Sequence, residues 1–351
     1  MLRMRIVQAP LKLEEYRAIL QDYNRLTAGH IPLHEFVHWV TKSPEGPAWH
    51  ALLETEDGRI VGHTSVFPLR TGTGESGLMA AKSEYSFLHE DFRKEKIQGH
   101  ETVSRPAFII LLDHLFRHCQ ELGWGPIFAS TNDKNQVFTR KVGLRPIEFP
   151  LRECLLVLKP ADAARLTPNL SNWQRAGLFT AGLGHTSVWP LAASLLAYSN
   201  GINKLPVQSM KARLEPRLFS FFEDQASLAW RYLEGQYVRF GFTGASDDFL
   251  IAKRGSGAGY LRVLQWRLEN VRTFLPLFGA LVREARQQNA LGVRWAVYDG
   301  NERSGELVRA MKKVGFLCAP RVRTVMIHKK EEKYLDPSQW NINDSLFSFD
   351  P

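Results

Sequence analysis

Two short runs hold the residue types that could do chemistry. The first is Lys82-Ser83-Glu84-Tyr85-Ser86-Phe87-Leu88, a strand-like run with one carboxylate among aromatic and apolar residues. A semi-buried carboxylate holds a proton more readily than a solvated one, so Glu84 has the character of an acid–base group. Side chains alternate across a strand, so Glu84 and Tyr85 are expected on opposite faces, and at most one of them meets a reacting centre. His89 and Glu90 begin the following turn and are the fallback acid–base groups. The second run is Phe92-Arg93-Lys94-Glu95-Lys96-Ile97-Gln98-Gly99. Its cations can pair with an anion, and a turn that opens a helix adds free backbone N–H groups and the positive end of the helix dipole. The competing readings are a structural or merely exposed Glu84 and a charged turn that only faces water.

These runs need elements to position them. Ahead of them the pattern predicts a strand over Arg5 to Val7, helices over Leu11 to Leu26 and Pro32 to Val40, and strands over Ala48 to Glu54 and Arg59 to Leu69. Glu56-Asp57-Gly58 joins the last two as a hairpin. After the basic turn, Phe108, Leu111, Leu112, Leu115, Cys119 and Leu122 fall at helical spacing, and Gly123 ends that helix. Strands follow at Pro126 to Ser130 and Leu151 to Leu158, with a short Asn-led helix between them that Gly143 terminates. This order is that of an α/β layer fold.

The second half repeats the first. Strands at Phe249 to Lys253 and Gly259 to Trp266 precede a helical face of Phe274, Phe278, Leu281, Val282 and Ala285. Leu291-Gly292 leads into a strand, Val293 to Tyr298, as Leu122-Gly123 leads into Pro126 to Ser130. Lys313-Val314-Gly315-Phe316 then echoes Lys141-Val142-Gly143-Leu144. The chain reads as a tandem repeat, with units at 1–158 and 218–330, a partly helical connector at 159–217 and a tail at 331–351. Gly255-Ser256-Gly257-Ala258-Gly259 links two strand-like runs and reads as a hairpin loop.

The length of 351 residues suits two domains. Lys and Arg exceed Asp and Glu by nine, which favours an anionic partner without choosing among a phosphate-rich cofactor, nucleic acid and anionic lipid. Three widely spaced cysteines, Cys119, Cys154 and Cys318, make no metal-ligand spacing; they are expected to be reduced thiols in a cytoplasmic compartment. The run Ala176 to Tyr198 lacks acidic and basic residues, but Gly and Pro interrupt it, so it reads as a packed connector with at most weak membrane-surface contact. No Walker-type phosphate loop, Gly-X-Ser-X-Gly elbow or metal-binding histidine spacing is present.

The order of elements, together with Asn132, Asn135, Thr139 and Gly143-Leu144 at its close, resembles the GNAT acyltransferase superfamily. Trp230-Arg231-Tyr232, Trp340 and Asp344 are similar to cues in bacterial tandem-GNAT proteins. The resemblance implies two GNAT-like mixed-sheet units and an acyl-CoA such as acetyl-CoA, or an acyl carrier protein, as donor. It implies pantetheine contacts along β-strand residues that include Phe87 and Leu88. It also implies phosphate contacts around Arg93, Lys94, Lys96, Gln98 and Gly99, with Asn132 and Asn135 nearby. Glu84 would be the base and Tyr85 a candidate acid. The chain departs from the family at two points: Lys96 and Gln98 replace the glycines of the phosphate turn, and Thr139 stands where the usual general-acid Tyr belongs. The second unit has no glycine-rich turn after Trp266, and Met311 stands where Thr139 stands in the first, so it is expected to shape the acceptor site or an interface.

The resulting expectation is an acyl transferase acting on an amine or sugar-amine in polysaccharide or cell-envelope metabolism, with no metal. A Fem-type transferase using aminoacyl-tRNA and a non-catalytic GNAT-like scaffold are the alternatives.

Overall fold

A computed structural model describes residues 1–27, 30–71, 78–93, 95, 97–98, 106–130, 139–166, 202–205, 224–233, 235–242, 248–256, 259–328, 332–340 and 342. The first half runs β1 (Arg3–Gln8), α1 (Leu13–Thr27), α2 (Leu33–Thr41), β2 (Trp49–Glu54), β3 (Ile60–Thr71), β4 (Leu78–Leu88), α3 (Ala107–Glu121), β5 (Ile127–Ser130) and β6 (Leu144–Val157). A short helix, α4 (Pro160–Leu166), follows. The second half runs β7 (Ile202–Leu205), α5 (Gln225–Arg231), β8 (Tyr237–Phe242), β9 (Phe249–Ser256), β10 (Tyr260–Arg267), α6 (Phe274–Gln287), β11 (Gly292–Tyr298), α7 (Ser304–Lys313) and β12 (Leu317–His328).

Local chemistry accounts for the helices. α1 carries Glu14 and Glu15 in its first turn and Arg25 in its last, each complementing the helix dipole, and buries Tyr16, Ile19 and Leu20. α3 opens after Pro106, which fixes the entry, and buries the stripe Leu111, Leu112, Leu115 and Cys119. Burial pushes the Cys119 thiol up to about 12, so it is an inert packing group. α3 covers one face of the first-half sheet, over Leu53, Val61, Val66 and Ala81. α1 and α2 cover the other, over Leu52, Phe67, Tyr85 and Phe87.

All twelve strands form one sheet, in the order β1-β2-β3-β4-β5-β12-β6-β11-β10-β9-β8-β7. The order is symmetric about its middle. β4 runs parallel to β5, and β10 runs parallel to β11, at corresponding places. The halves exchange their last strands: β12 pairs β5, while β6 pairs β11. β6 and β12 then lie antiparallel to each other over twelve residue pairs, Leu317↔Leu155 through His328↔Leu144. The repeat in the sequence is therefore a repeat of structure, and Gly143 and Gly315 share a φ of 91°, the left-handed conformation that ends each preceding helix.

Two expectations are corrected. Cys154 and Cys318, separated by 164 residues, face each other across β6 and β12 and are joined by a disulfide. Sequence spacing could not show this, because the strand exchange brings them together. β6 also begins at Leu144, ahead of the strand read from Leu151, because its first half alternates buried and exposed positions beside β12.

The tail crosses back onto the first half. The Trp340 ring packs against Phe128 and Phe149, and its Nε1 donates to the Tyr334 carbonyl at 3.0 Å. The Asn301 side chain clamps the Ile342 backbone, donating to its carbonyl at 2.5 Å and accepting from its N–H at 3.1 Å. The turn Asp299-Gly300-Asn301 thus does more than reverse the chain. Among the described residues no helix is long and apolar enough to cross a membrane; the run from Ala176 to Tyr198 lies outside them.

Candidate functional site

The site centres on β4, where the sheet is irregular. The β4–β5 ladder covers Ala81, Lys82 and Ser83 and ends at the pair Ser83↔Ala129. β4 runs on from Glu84 to Leu88 past the last described pair of that ladder. At the same point its register with β3 slips by one: His63 faces Phe87, but Ser65 faces Glu84. Tyr85 and Ser86 together oppose Thr64, a β-bulge, and Tyr85 adopts a φ of 53°. That left-handed conformation costs a bulky residue of order 1 kcal/mol or more, and such strain is commonly kept where main chain must be aimed.

The bulge also overturns the expected alternation of Glu84 and Tyr85. Lys82 sits opposite Phe67 on the face that α1 and α2 cover, and Glu84 forms an ion pair with Lys82 on that face. The Tyr85 ring packs against Tyr23, Phe36 and Phe67, centroids 5.3, 5.0 and 5.8 Å away, in the same core. The extra residue of the bulge brings both side chains to one face. Lys82 is fully buried, at 0% exposure, and the Glu84 side chain is 14% exposed. The sequence implied burial for Glu84 but not its counter-charge.

Three consecutive buried polar residues of β3 fasten the bulge. His63 Nδ1 donates to the Tyr85 carbonyl at 2.7 Å, and Ser65 Oγ donates to the Glu84 carbonyl at 3.1 Å. Thr64 Oγ1 lies 2.7 Å from Ser86 Oγ. Behind them His50 Nδ1 lies 2.9 Å from His63 Nε2. Burial holds both imidazoles neutral, His63 at about 4 and His50 well below its ordinary value, with the neighbouring His63 adding to the effect on His50. None of these residues stood out in the sequence. The signal was a polar triplet, His63-Thr64-Ser65, inside a strand buried along almost its whole length.

At the end of β4, buried His89 lies 2.8 Å from the Asp22 carboxylate on α1, and Arg25 reaches its ring at 3.1 Å. Phe87 is buried on the face of α1 and α2, while Leu88 packs with the α3 side. Of the basic turn, Arg93 is exposed and lies 3.4 Å from Glu90. The Gln98 backbone donates to the Leu2 carbonyl at 2.7 Å, which ties the turn to the chain start. Lys94, Lys96, Gly99, Asn132 and Asn135 lie outside the described residues.

The second unit differs at the corresponding place. Its turn into α6 is filled by its own carboxylate: Asp248, 1% exposed, accepts from the Glu269 N–H at 2.5 Å and the Thr273 hydroxyl at 2.5 Å. The Arg272 N–H is taken by Asn270 at 2.9 Å. The Trp230-Arg231-Tyr232 group is a packed anchor. Trp230 Nε1 donates to the Trp39 carbonyl of α2 at 3.1 Å, and the Tyr232 hydroxyl donates to Gln265. β9 and β10 pair antiparallel, as the hairpin reading of the glycine-rich run requires. Among the described residues no group of three or more His, Cys, Asp or Glu is placed to hold a metal ion.

No protein-family model matches the sequence, and no curated protein matches it. Solved structures do. An Enterococcus faecalis V583 protein described as a probable N-acyltransferase superposes with a TM-score of 0.54 at 9% identity, over 92% of this chain and 72% of that one. Saccharomyces cerevisiae N-myristoyltransferase with bound myristoyl-CoA superposes with a TM-score of 0.55 at 10% identity, over 92% and 82%. The chain has the GNAT fold. The match extends over both halves, so it is the paired GNAT architecture as a whole that these structures share. Within that architecture the bulge at Tyr85 is read from this chain's own register.

Proposed function

We propose that the protein is an acyltransferase that takes an acyl group from an acyl-CoA, or from an acyl carrier protein, and delivers it to an amine. The observation that carries this reading is the bulged β4, with an ion-paired carboxylate beside main chain held in a left-handed bend. A donor lying along β4 beyond its last pair with β5 would add its pantetheine arm as a further strand, past Glu84 to Leu88. The thioester carbonyl would then meet main-chain dipoles fixed in advance, which is the cheapest way to stabilise a developing oxyanion. The amine nitrogen attacks the carbonyl carbon, a C–N bond forms and the C–S bond breaks. Glu84, held by Lys82, takes the proton from the attacking nitrogen, and that proton returns to the departing sulfur. Tyr85 contributes its main chain rather than its buried ring. The acceptor would enter past a cleft of about 310 Å³ between Phe149, Tyr298, Asp299 and Trp340.

The donor phosphates would meet the turn from Arg93 to Gly99, where side-chain charge takes over from the missing glycines. The myristoyl-CoA bound to the yeast structure makes a long-chain acyl-CoA a reasonable first donor to test beside acetyl-CoA. The filled turn at Asp248 supports one donor per chain.

The test has two parts. Calorimetry with acetyl-CoA and longer acyl-CoAs is expected to show saturable binding at one site per chain; no heat with any of them sinks the proposal. Glu84→Gln is expected to lower turnover on an amine panel by about 100-fold or more, the range for losing a general base. Donor affinity should stay within about threefold. Unchanged turnover removes Glu84 from the mechanism. Donor binding without turnover on any amine would favour the non-catalytic scaffold, and tight, salt-sensitive tRNA binding the aminoacyl-tRNA route.

A further inference from the structure

We infer that His63, itself set by His50, is a positioning residue for acyl transfer: it fixes the Tyr85 carbonyl and so holds the β4 bend against which the thioester carbonyl is polarised. The inference rests on the acyl-transfer reading and adds two residues that touch neither donor nor acceptor.

Hydrogen-bond chemistry fixes the direction of the chain. A carbonyl only accepts, so the 2.7 Å contact requires a proton on His63 Nδ1. A neutral His63 then accepts at Nε2, so the 2.9 Å contact requires the proton of His50 on Nδ1. The order is His50 N–H to His63, and His63 N–H to the Tyr85 carbonyl. Both rings are at 0% exposure, and no other pair of neutral tautomers satisfies both contacts. The arrangement leaves His50 Nε2 buried with no hydrogen-bond partner, beside the Tyr16 ring, whose centroid is 6.0 Å away. A buried lone pair without a donor is a cost. An apolar pair would fill the same space without it, so packing alone does not explain two adjoining histidines here.

The bulge explains them. Where β4 gains a residue and the β3 register slips, the carbonyls of Glu84 and Tyr85 accept from the Ser65 and His63 side chains of β3. Ser65 is a single rotatable hydroxyl. His63 is a rigid ring whose second nitrogen is itself anchored, so the bond to Tyr85 is aimed from both ends. That is the support a pre-oriented main-chain dipole requires. His50 sits on β2 opposite Ser65, so three adjacent strands, β2, β3 and β4, share the device.

The experiment compares His63→Phe, His63→Asn and His50→Phe with the wild-type protein, using an acyl-CoA carrying a ¹³C thioester carbonyl. An asparagine amide at this position can donate where Nδ1 donated; a phenylalanine ring cannot. His63→Phe is expected to lower kcat about tenfold or more with the acyl-CoA Kd within about threefold, and His63→Asn to keep kcat within about threefold. His50→Phe leaves the His63 ring unanchored and is expected to lower kcat by roughly three- to tenfold, which keeps the question open to test if His63→Phe does not fold. Isotope-edited infrared spectra supply a readout that a merely structural role would not move. The bound carbonyl stretch should lie below its solution position in wild type and His63→Asn, and return towards it in the two Phe variants. A folded Phe variant with wild-type kcat and wild-type carbonyl stretch overturns the inference and leaves the acyl-transfer reading intact. Failure of the wild-type protein to bind any acyl-CoA overturns both.

Discussion

Two buried polar pairs, one charged and one neutral, flank the β4 bend. Lys82 and Glu84 form an ion pair with little access to water, and such a pair is costly to break from one side. Lys82→Met should destabilise the fold by about 3 kcal/mol, because it leaves the carboxylate buried beside a methyl group. Lys82→Met with Glu84→Leu should recover most of that loss. Urea denaturation of the two variants checks both, and equal stability of single and double variants would show that the pair is not coupled. The histidine pair predicts a pH dependence. The folded His63 titrates at about 4, below its ordinary value of 6.5, and His50 is shifted the same way. The unfolded chain therefore binds more protons between those values, so these rings contribute stability that is complete above about pH 6.5. It is lost as pH falls towards 4, at about 1.4 kcal/mol per pH unit for His63, with His50 acting in the same direction. Thermal unfolding of wild type and a His50→Phe/His63→Asn variant across this range should show the shallower slope in the variant.

Among the elements, β4 shows where pattern reading succeeds and where it stops. A strand ending at Leu88 was legible from its apolar and aromatic residues, and so was the carboxylate within it. The bulge was not. It depends on how Thr64 of β3 falls against Tyr85 and Ser86, and register is a property of two strands together. The assignment of Tyr85 and Glu84 to opposite faces failed for that reason. The start of β11 offers a test of close strand packing. A Cβ added at Gly292 would run into the Leu156 carbonyl oxygen of β6. Since that neighbour is backbone, Gly292→Ala should force the β6–β11 ladder apart there and cost about 2 kcal/mol or more, on the order of other overpacking changes. A change in urea midpoint below a few tenths of a molar would show that the ladder gives way freely.

For the molecule as one body, the exchange of β6 and β12 makes each half depend on the other. β5 has β12 on its far side, and without the second half its edge would be bare. Residues 1–158 produced alone are expected to aggregate or stay unfolded, whereas co-production with residues 159–351 should restore a soluble pair. Circular dichroism and size-exclusion chromatography decide this, and a cooperative fold from 1–158 alone would contradict it. The Cys154–Cys318 disulfide ties the exchanged strands together across 164 residues. Chain-entropy arguments put such a long closure at roughly 5 kcal/mol, so reduction should lower Tm by many degrees while leaving the fold in place.

Element types, the repeat and the run from Lys82 to Leu88 could be read from the chain alone, because they follow from periodicity, turn residues and composition, which are local. The departures at Lys96, Gln98 and Thr139 were legible in the same way. It took the folded molecule to show that one sheet spans both halves, that Cys154 meets Cys318, and that Lys82, His63 and His50 surround the bend at Glu84 and Tyr85. Each of these is a meeting between residues whose partners are set by pairing across strands, and strand exchange and register have no signature within any single strand.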